Sequence, residues 1–270
     1  MESRATRAAL GIWTVLVVLF LWIPLAIILV YAFNPSNIQS WPISGFTLRW
    51  FRVAWHDQEA RDALFLSLKA ALIATGIALV LGTMAAAAVS RFRFFGREAL
   101  SFLFVLPLAL PGVITGIALS SFYTFWGVTF SLWTIVIGHA TFCVVIVYNN
   151  VLARLRRTSS SLVEASMDLG ADGWQTFRFV TFPVLSTALV SGGLLAFALS
   201  FDEVIVTLFT AGAQNTLPIW ILGKIRLGQQ LPEVNAVVFV VILMTVIPVV
   251  ISQRLTRDTG VLRRTSGGSP

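Results

Sequence analysis

Residues 10–33 read LGIWTVLVVLFLWIPLAIILVYAF, 24 consecutive positions without a charge. An α-helix needs about 20 such residues to cross the hydrocarbon core of a bilayer. Further apolar runs follow, and no water is available inside lipid to satisfy loose backbone groups, so the runs must close their hydrogen bonds as helices. The expected fold is all-α, a single polytopic membrane domain over residues 1–270 with six transmembrane helices. The spans fall at about 10–33, 63–90, 99–123, 127–150, 185–211 and 233–252, with turn residues Trp126–Gly127 between the third and fourth. Only 11% of the residues are charged and 57% are hydrophobic, which argues against a soluble protein. The first run lies behind Arg4 and Arg7, is too long for a signal-peptide core and lacks a small-residue cleavage site. It reads as a retained anchor.

Charge sets the expected orientation. With the N-terminus in the cytoplasm, the inside segments hold Arg4, Arg7, Arg91, Arg93, Arg97, Arg154, Arg156, Arg157, Arg178, Arg254, Arg257, Arg263 and Arg264, 13 of the 19 basic residues. The net charge of +7 is then mostly a topology signal, and no nucleic-acid partner is expected. Both termini are expected in the cytoplasm and lipid around the spans. The outer loop at 34–62 carries Trp41, Trp50 and Trp55, suited to an interfacial aromatic belt or a docking surface. The single cysteine, Cys143, rules out an intrachain disulfide and reads as a small buried hydrophobe. His56 and His139 lie far apart, so no metal site is expected. No internal repeat is visible by eye, which weighs against a secondary transporter built from inverted repeats.

One segment breaks the apolar pattern. Residues 162–183, LVEASMDLGADGWQTFRFVTFP, carry three of the twelve acidic residues. Ser161 followed by Glu164 suggests a capping box that opens a short helix, and Gly170 suits its left-handed end. Asp172 and Gln175 form a second capping pair that opens another helix before Pro183. The spacing Glu164-Ala165-Ser166, three residues, Gly170, nine residues, then Val180-Thr181-Phe182-Pro183 resembles the EAA loop of ABC importer permeases. Ser166 stands where that motif usually has a second alanine. The resemblance implies that residues 158–183 form a cytoplasmic coupling loop between the fourth and fifth spans. Glu164, Ala165, Ser166, Gly170 and Pro183 would then couple the chain to a separate ATPase subunit. The only lysines, Lys69 and Lys224, lie outside any phosphate-binding loop. The chain is therefore expected to be a transport subunit without catalytic residues or cofactor of its own, with ATP and its magnesium on a partner ATPase.

A second stretch concerns what crosses the membrane. SFDEVIVTLFTAG at 200–212 places Asp202 and Glu203 roughly 25 Å along the fifth span. Carboxylates at that depth face a cavity or a partner, or cap a broken helix, unless the span ends early and leaves them in the headgroups. Phe201, Phe209 and Trp220 are candidates for cation–π attraction to an ammonium group. Glu233 with Asn235 is a second candidate contact, and equally a helix N-terminal carboxylate behind Pro232. SFDEVIVTLFTAG, TLPIWILGKIRLG, PEVNAV, NPSNIQSWPISGFTLRWF and LFLSLKAALIATGIALVLGTMAAAA are similar to the permeases of spermidine/putrescine importers.

That resemblance implies a polyamine pathway through Asp202, Glu203, Trp220, Glu233 and Asn235. It also implies a second permease subunit, an ATPase dimer and an extracytoplasmic solute-binding protein as partners. Lys69 departs from the pattern. Beside the pathway it would repel a polycation, whereas at the membrane edge it would snorkel. The alternatives are an ABC permease for thiamine, ferric iron or an oxyanion, and an ion-coupled secondary transporter.

Overall fold

The computed structural model describes residues 4–246 apart from 40, 93, 94, 160 and 229, and of residues 5, 100, 105 and 108 only the backbone. Arg93, Arg254, Arg257, Arg263 and Arg264, and the expected end of the sixth span, lie outside the described residues. Twelve α-helices follow in chain order, with no strand among the described residues. They are α1 Arg4–Tyr31, α2 Arg49–His56, α3 Gln58–Arg91, α4 Arg97–Ala109, α5 Gly112–Phe125, α6 Leu132–Arg157, α7 Ser161–Asp168, α8 Gly173–Thr176, α9 Phe182–Phe201, α10 Ile205–Thr210, α11 Leu217–Leu227 and α12 Leu231–Val246. A π-helical segment, Phe177–Thr181, joins α8 to α9.

Four helices are long and apolar enough to span a bilayer: α1 from Thr6, α3, α6 and the continuous Gly173–Phe201 rod. Two shorter apolar helices, α5 and α12, accompany them. The run expected as one span at 99–123 is two helices. Leu110 is extended (φ −80°, ψ 137°) ahead of Pro111, because a proline ring disfavours the α conformation in the residue before it and offers no N–H to continue the ladder.

The chain divides into two compact units, residues 62–222 and residues 1–61 with 223–270. In the first, α6 is the central element. Val136, Val147, Tyr148 and Val151 on it are all but fully buried, as are Ala78 and Ala86 of α3 and Ala196 of α9. Gly82 lets α3 lie directly on α6: a Cβ there would sit 2.8 Å from the Val144 carbonyl. Without a hydrophobic drive between helices in lipid, such small residues gain close van der Waals packing instead. Cys143 is buried as expected, its thiol donating to the Ala196 carbonyl at 3.3 Å.

In the second unit, Phe33, Phe51 and Phe239 form an aromatic cluster with centroids 5.1–5.4 Å apart. The tryptophans of the 34–62 loop divide their roles. Trp41 and Trp55 are exposed, while Trp50 is buried and donates its indole N–H to the Asn34 carbonyl at 2.8 Å. A Trp can be buried because that donor finds a partner.

Candidate functional site

The polar segment folds as α7, a tight turn and α8. Gly170 has φ +86°, and the turn closes through two bonds, Gly170 N to the Met167 carbonyl at 2.9 Å and Ala171 N to the Ser166 carbonyl at 3.1 Å. That pair is the Schellman ending of a helix, which needs a residue tolerant of the left-handed region. Asp172 then caps α8. Its Oδ1 accepts from Gln175 N at 2.8 Å, and Gln175 Oε1 accepts from Asp172 N at 3.0 Å. The first cap differs from expectation. Ser161 is already helical, and its N–H donates to the Ser159 hydroxyl at 3.2 Å.

Glu164 and Ala165 stand exposed on α7, whereas Ser166 turns inward and shares a 3.0 Å hydrogen bond with the buried Thr176 hydroxyl. This hydroxyl pair ties α7 to α8, a role the motif pattern did not suggest. Glu164 also lines a cavity of about 410 Å³ with Arg91, Ser159 and Thr181. Met167, Leu169, Trp174 and Phe179 are exposed around the same loop, a concentration of apolar surface of the kind that marks a docking site. Pro183 lies in the first turn of α9, immediately after the π-helical segment, where Phe182 N reaches back to the Phe177 carbonyl. A proline ring collides with the carbonyl four residues back in a regular helix, and the wider π turn relieves that clash while the rod continues.

At the other end of this rod, Asp202 and Glu203 sit at a break. The last helical bond of α9 runs from Asp202 N to the Ala198 carbonyl at 3.2 Å, and Asp202 adopts φ −93°, ψ 2°. Glu203 caps α10, its Oε1 accepting from Val206 N at 2.9 Å, while its carbonyl accepts from the Thr207 hydroxyl at 2.7 Å. The broken-helix alternative therefore describes Glu203. Asp202 is exposed, and its carboxylate has no hydrogen bond or ion pair among the described residues. Lys69 is also exposed and makes no ion pair with either acid among them. The aromatic neighbours are packing groups here. Phe209 lies against Gly116, where a Cβ would come within 2.5 Å of its ring, and Trp220 is buried.

Glu233 and Asn235 occupy the first turns of α12 and are buried. Glu233 lies 3.8 Å from the Lys224 ammonium, which also contacts Asp57 at 3.3 Å. Asp57 and Lys224 complete this cluster and escape sequence reasoning, because 167 residues separate them. The clue available was Asp57 itself, an acid directly ahead of α3, where its Oδ1 accepts from Glu59 N at 2.8 Å and Ala60 N at 3.3 Å. Burial pushes the Asp57 carboxyl up, but the Ala60 N–H and the Lys224 ammonium outweigh it and hold it below the usual value of 3.8.

Residues 78–257 match the model of the binding-protein-dependent transport system inner membrane component. The chain belongs to that family. The matched range takes in the α7–α8 loop, Asp202, Glu203, Glu233 and Asn235, and begins beyond Asn34, Asp57 and Lys69. Among similar proteins, the putrescine transport system permease protein PotI of Escherichia coli (strain K12) is 35% identical, over 83% of each chain. The spermidine/putrescine transport system permease protein PotC of Haemophilus influenzae is 31% identical over 88% of this chain and 92% of its own. A putative 2-aminoethylphosphonate transport system permease protein of Salmonella paratyphi A is 30% identical over 96% and 98%. A bacterial ABC transporter involved in alginate import, known from a crystal structure, shares the fold with a TM-score of 0.66 at 17% identity, over 96% of this chain and 98% of its own. As a member of this family the chain is a multi-pass inner-membrane permease.

Proposed function

We propose that the chain forms the translocation pathway for a polyamine and couples it to ATP hydrolysis on a separate subunit. The observation that carries this reading is the exposed Asp202 carboxylate, without hydrogen bond or ion pair among the described residues, at the break between α9 and α10. A multication offers such a group the charge partner it lacks, and a loosely held one can leave again. The names of the PotI and PotC relatives, at 30–35% identity, point to the same cargo class, while that of the 2-aminoethylphosphonate relative at 30% names a different one. Glu233 and Asn235 form a second contact, with the buried Glu233 carboxylate short of hydrogen bonds. Trp220 supplies packing beside the pathway.

The α7–α8 loop, with exposed Glu164 and Ala165 and the turn at Gly170, supports docking of an ATPase dimer. Glu164, Ala165, Ser166, Gly170 and Pro183 make up that coupling device, in which a short helix on a continuous rod transmits a rigid-body movement. A second permease subunit and an extracytoplasmic binding protein complete the assembly, and both termini lie in the cytoplasm. An ion-coupled secondary transporter has no use for such a loop, and the family membership sets that alternative aside.

The test is uptake of labelled putrescine and spermidine into vesicles holding this chain with its partner subunits, with and without internal ATP. Uptake is expected only with ATP. Asp202→Asn raises the half-saturating concentration about tenfold, as expected for losing a charged partner. ATPase activity that responds to 2-aminoethylphosphonate and not to polyamines would remove the cargo and keep the machine.

A further inference from the structure

The mechanism leaves His139 unused, and its surroundings are specific. It lies on α6, is 1% exposed, and bonds to both sides of the α9–α10 break. Nδ1 is 2.8 Å from the Ser200 hydroxyl, two residues before Asp202, and Nε2 is 2.8 Å from the Thr207 hydroxyl, four residues after Glu203. The hydrogens can be assigned from the network. Thr207 spends its proton on the Glu203 carbonyl at 2.7 Å, so it must accept from His139, and Nε2 carries the hydrogen. A neutral imidazole then accepts at Nδ1 from the Ser200 hydroxyl. One ring therefore links Ser200, itself, Thr207 and the Glu203 carbonyl in a continuous chain of hydrogen bonds.

A broken helix leaves backbone groups without their usual partners, and in apolar surroundings each is costly. The break at Asp202 is tied at several points. Glu203 caps α10 from within, and Thr134 on α6 donates to the Thr210 carbonyl at 2.7 Å. Among the described residues, His139 bonds to both flanks at once through its two ring nitrogens.

We infer that His139 is a positioning residue for Asp202: its imidazole spans the break, with the Glu203 carboxylate held as the cap of α10, and fixes the direction in which the Asp202 carboxylate is presented to the cargo. This rests on the reading that this carboxylate meets the cargo, and it deepens that reading by naming what aims it. His139 touches neither carboxylate group through a hydrogen bond, so it acts through Ser200, Thr207 and the Glu203 backbone.

The experiment uses the complete importer in proteoliposomes and reads two quantities. The first is the half-saturating spermidine concentration for ATP-driven uptake. The second is the rate at which a membrane-impermeant maleimide labels Asp202→Cys in a Cys143→Ala background, a clean readout because the chain has one native cysteine. His139→Leu removes both bonds and leaves Ser200 and Thr207 buried without this partner. Half-saturation is expected to rise about tenfold and the labelling rate to change by a similar factor. His139→Gln, which keeps a donor toward Thr207, should fall between wild type and His139→Leu.

If His139→Leu does not assemble, Ser200→Ala and Thr207→Val carry the same two readouts, with Thr207→Val expected to have the larger effect because it also frees the Glu203 carbonyl. Unchanged labelling in assembled variants overturns the positioning role, whatever uptake does. Altered labelling with unchanged half-saturation keeps His139 as the clamp and overturns Asp202 as the cargo contact.

Discussion

The rod from Gly173 to Phe201 is bounded by a turn at each end, and the two turns are specified differently. At Gly170 the chain turns on its own residues: glycine permits the conformation, Ala171 and Gly170 close the bonds, and Asp172 with Gln175 opens the next helix. At Asp202 nothing in the local sequence forbids helix. There Glu203 supplies a local cap, and His139 on α6 bonds both flanks from more than 60 residues away. The first kind of turn is closed by its own residues. The second is also bonded to α6, so its geometry is tied to how the helices are arranged.

Substitutions at the two ends should therefore fail in different ways. Glu164→Lys reverses the charge on the exposed face of α7 and is expected to abolish uptake while membrane insertion, followed by protease protection, stays intact. Normal import by that variant would remove the coupling assignment. Gly170→Val places a β-branched residue at φ +86°, at a local strain of about 1–2 kcal/mol. No atom lies within 4 Å to clash with an added Cβ, so helix content by circular dichroism should hold while uptake falls.

Asp57 combines both kinds of support in one residue, a local cap on α3 and a distant ion pair. Asparagine caps helices about as well as aspartate, so Asp57→Asn isolates the Lys224 contact, and Asp57→Ala removes both. Because the folded carboxyl titrates below its ordinary 3.8, the stability it contributes is present above that value and is lost as pH falls through the folded one. Thermal melts in detergent should show Asp57→Asn below wild type at neutral pH, with the gap closing in acid. A gap that persists unchanged to the lowest pH would exclude the ion pair as its cause. The smallest effect is expected from Ser166→Ala, under about 1 kcal/mol, because it deletes one half-buried hydroxyl contact and restores the residue the motif usually carries. Loss of uptake as severe as that of Glu164→Lys would mean the hydroxyl pair with Thr176 does more than tie two helices.

What could be read from the sequence follows the same division. The loop was legible because its determinants lie within a few residues of each other, although Ser161 lies inside α7 and donates its N–H to the Ser159 hydroxyl. The interruption at Pro111 was present in the letters but hidden by an apolar run that satisfies a span on length alone. Asp202 and Glu203 stood out as acids in an apolar run, yet the residue bonded to both flanks of their break is His139, and a lone histidine on an apolar helix gives no sign of partners 61 and 68 residues away. Trp50 looked like its neighbours Trp41 and Trp55 until Asn34 was found to hold its indole.

The π-helical turn at Phe177–Thr181 has a geometric consequence for the rod it interrupts. Each residue advances an α-helix by about 100°, so one added residue offsets the azimuth of everything that follows by a comparable angle. The side of the rod that carries Trp174 and the side that buries Leu185, Ala188 and Gly192 are therefore not bound to one angular register. A loop face and a membrane face can each be oriented for its own neighbour, and a twist applied at one end reaches the other about a phase-shifted axis.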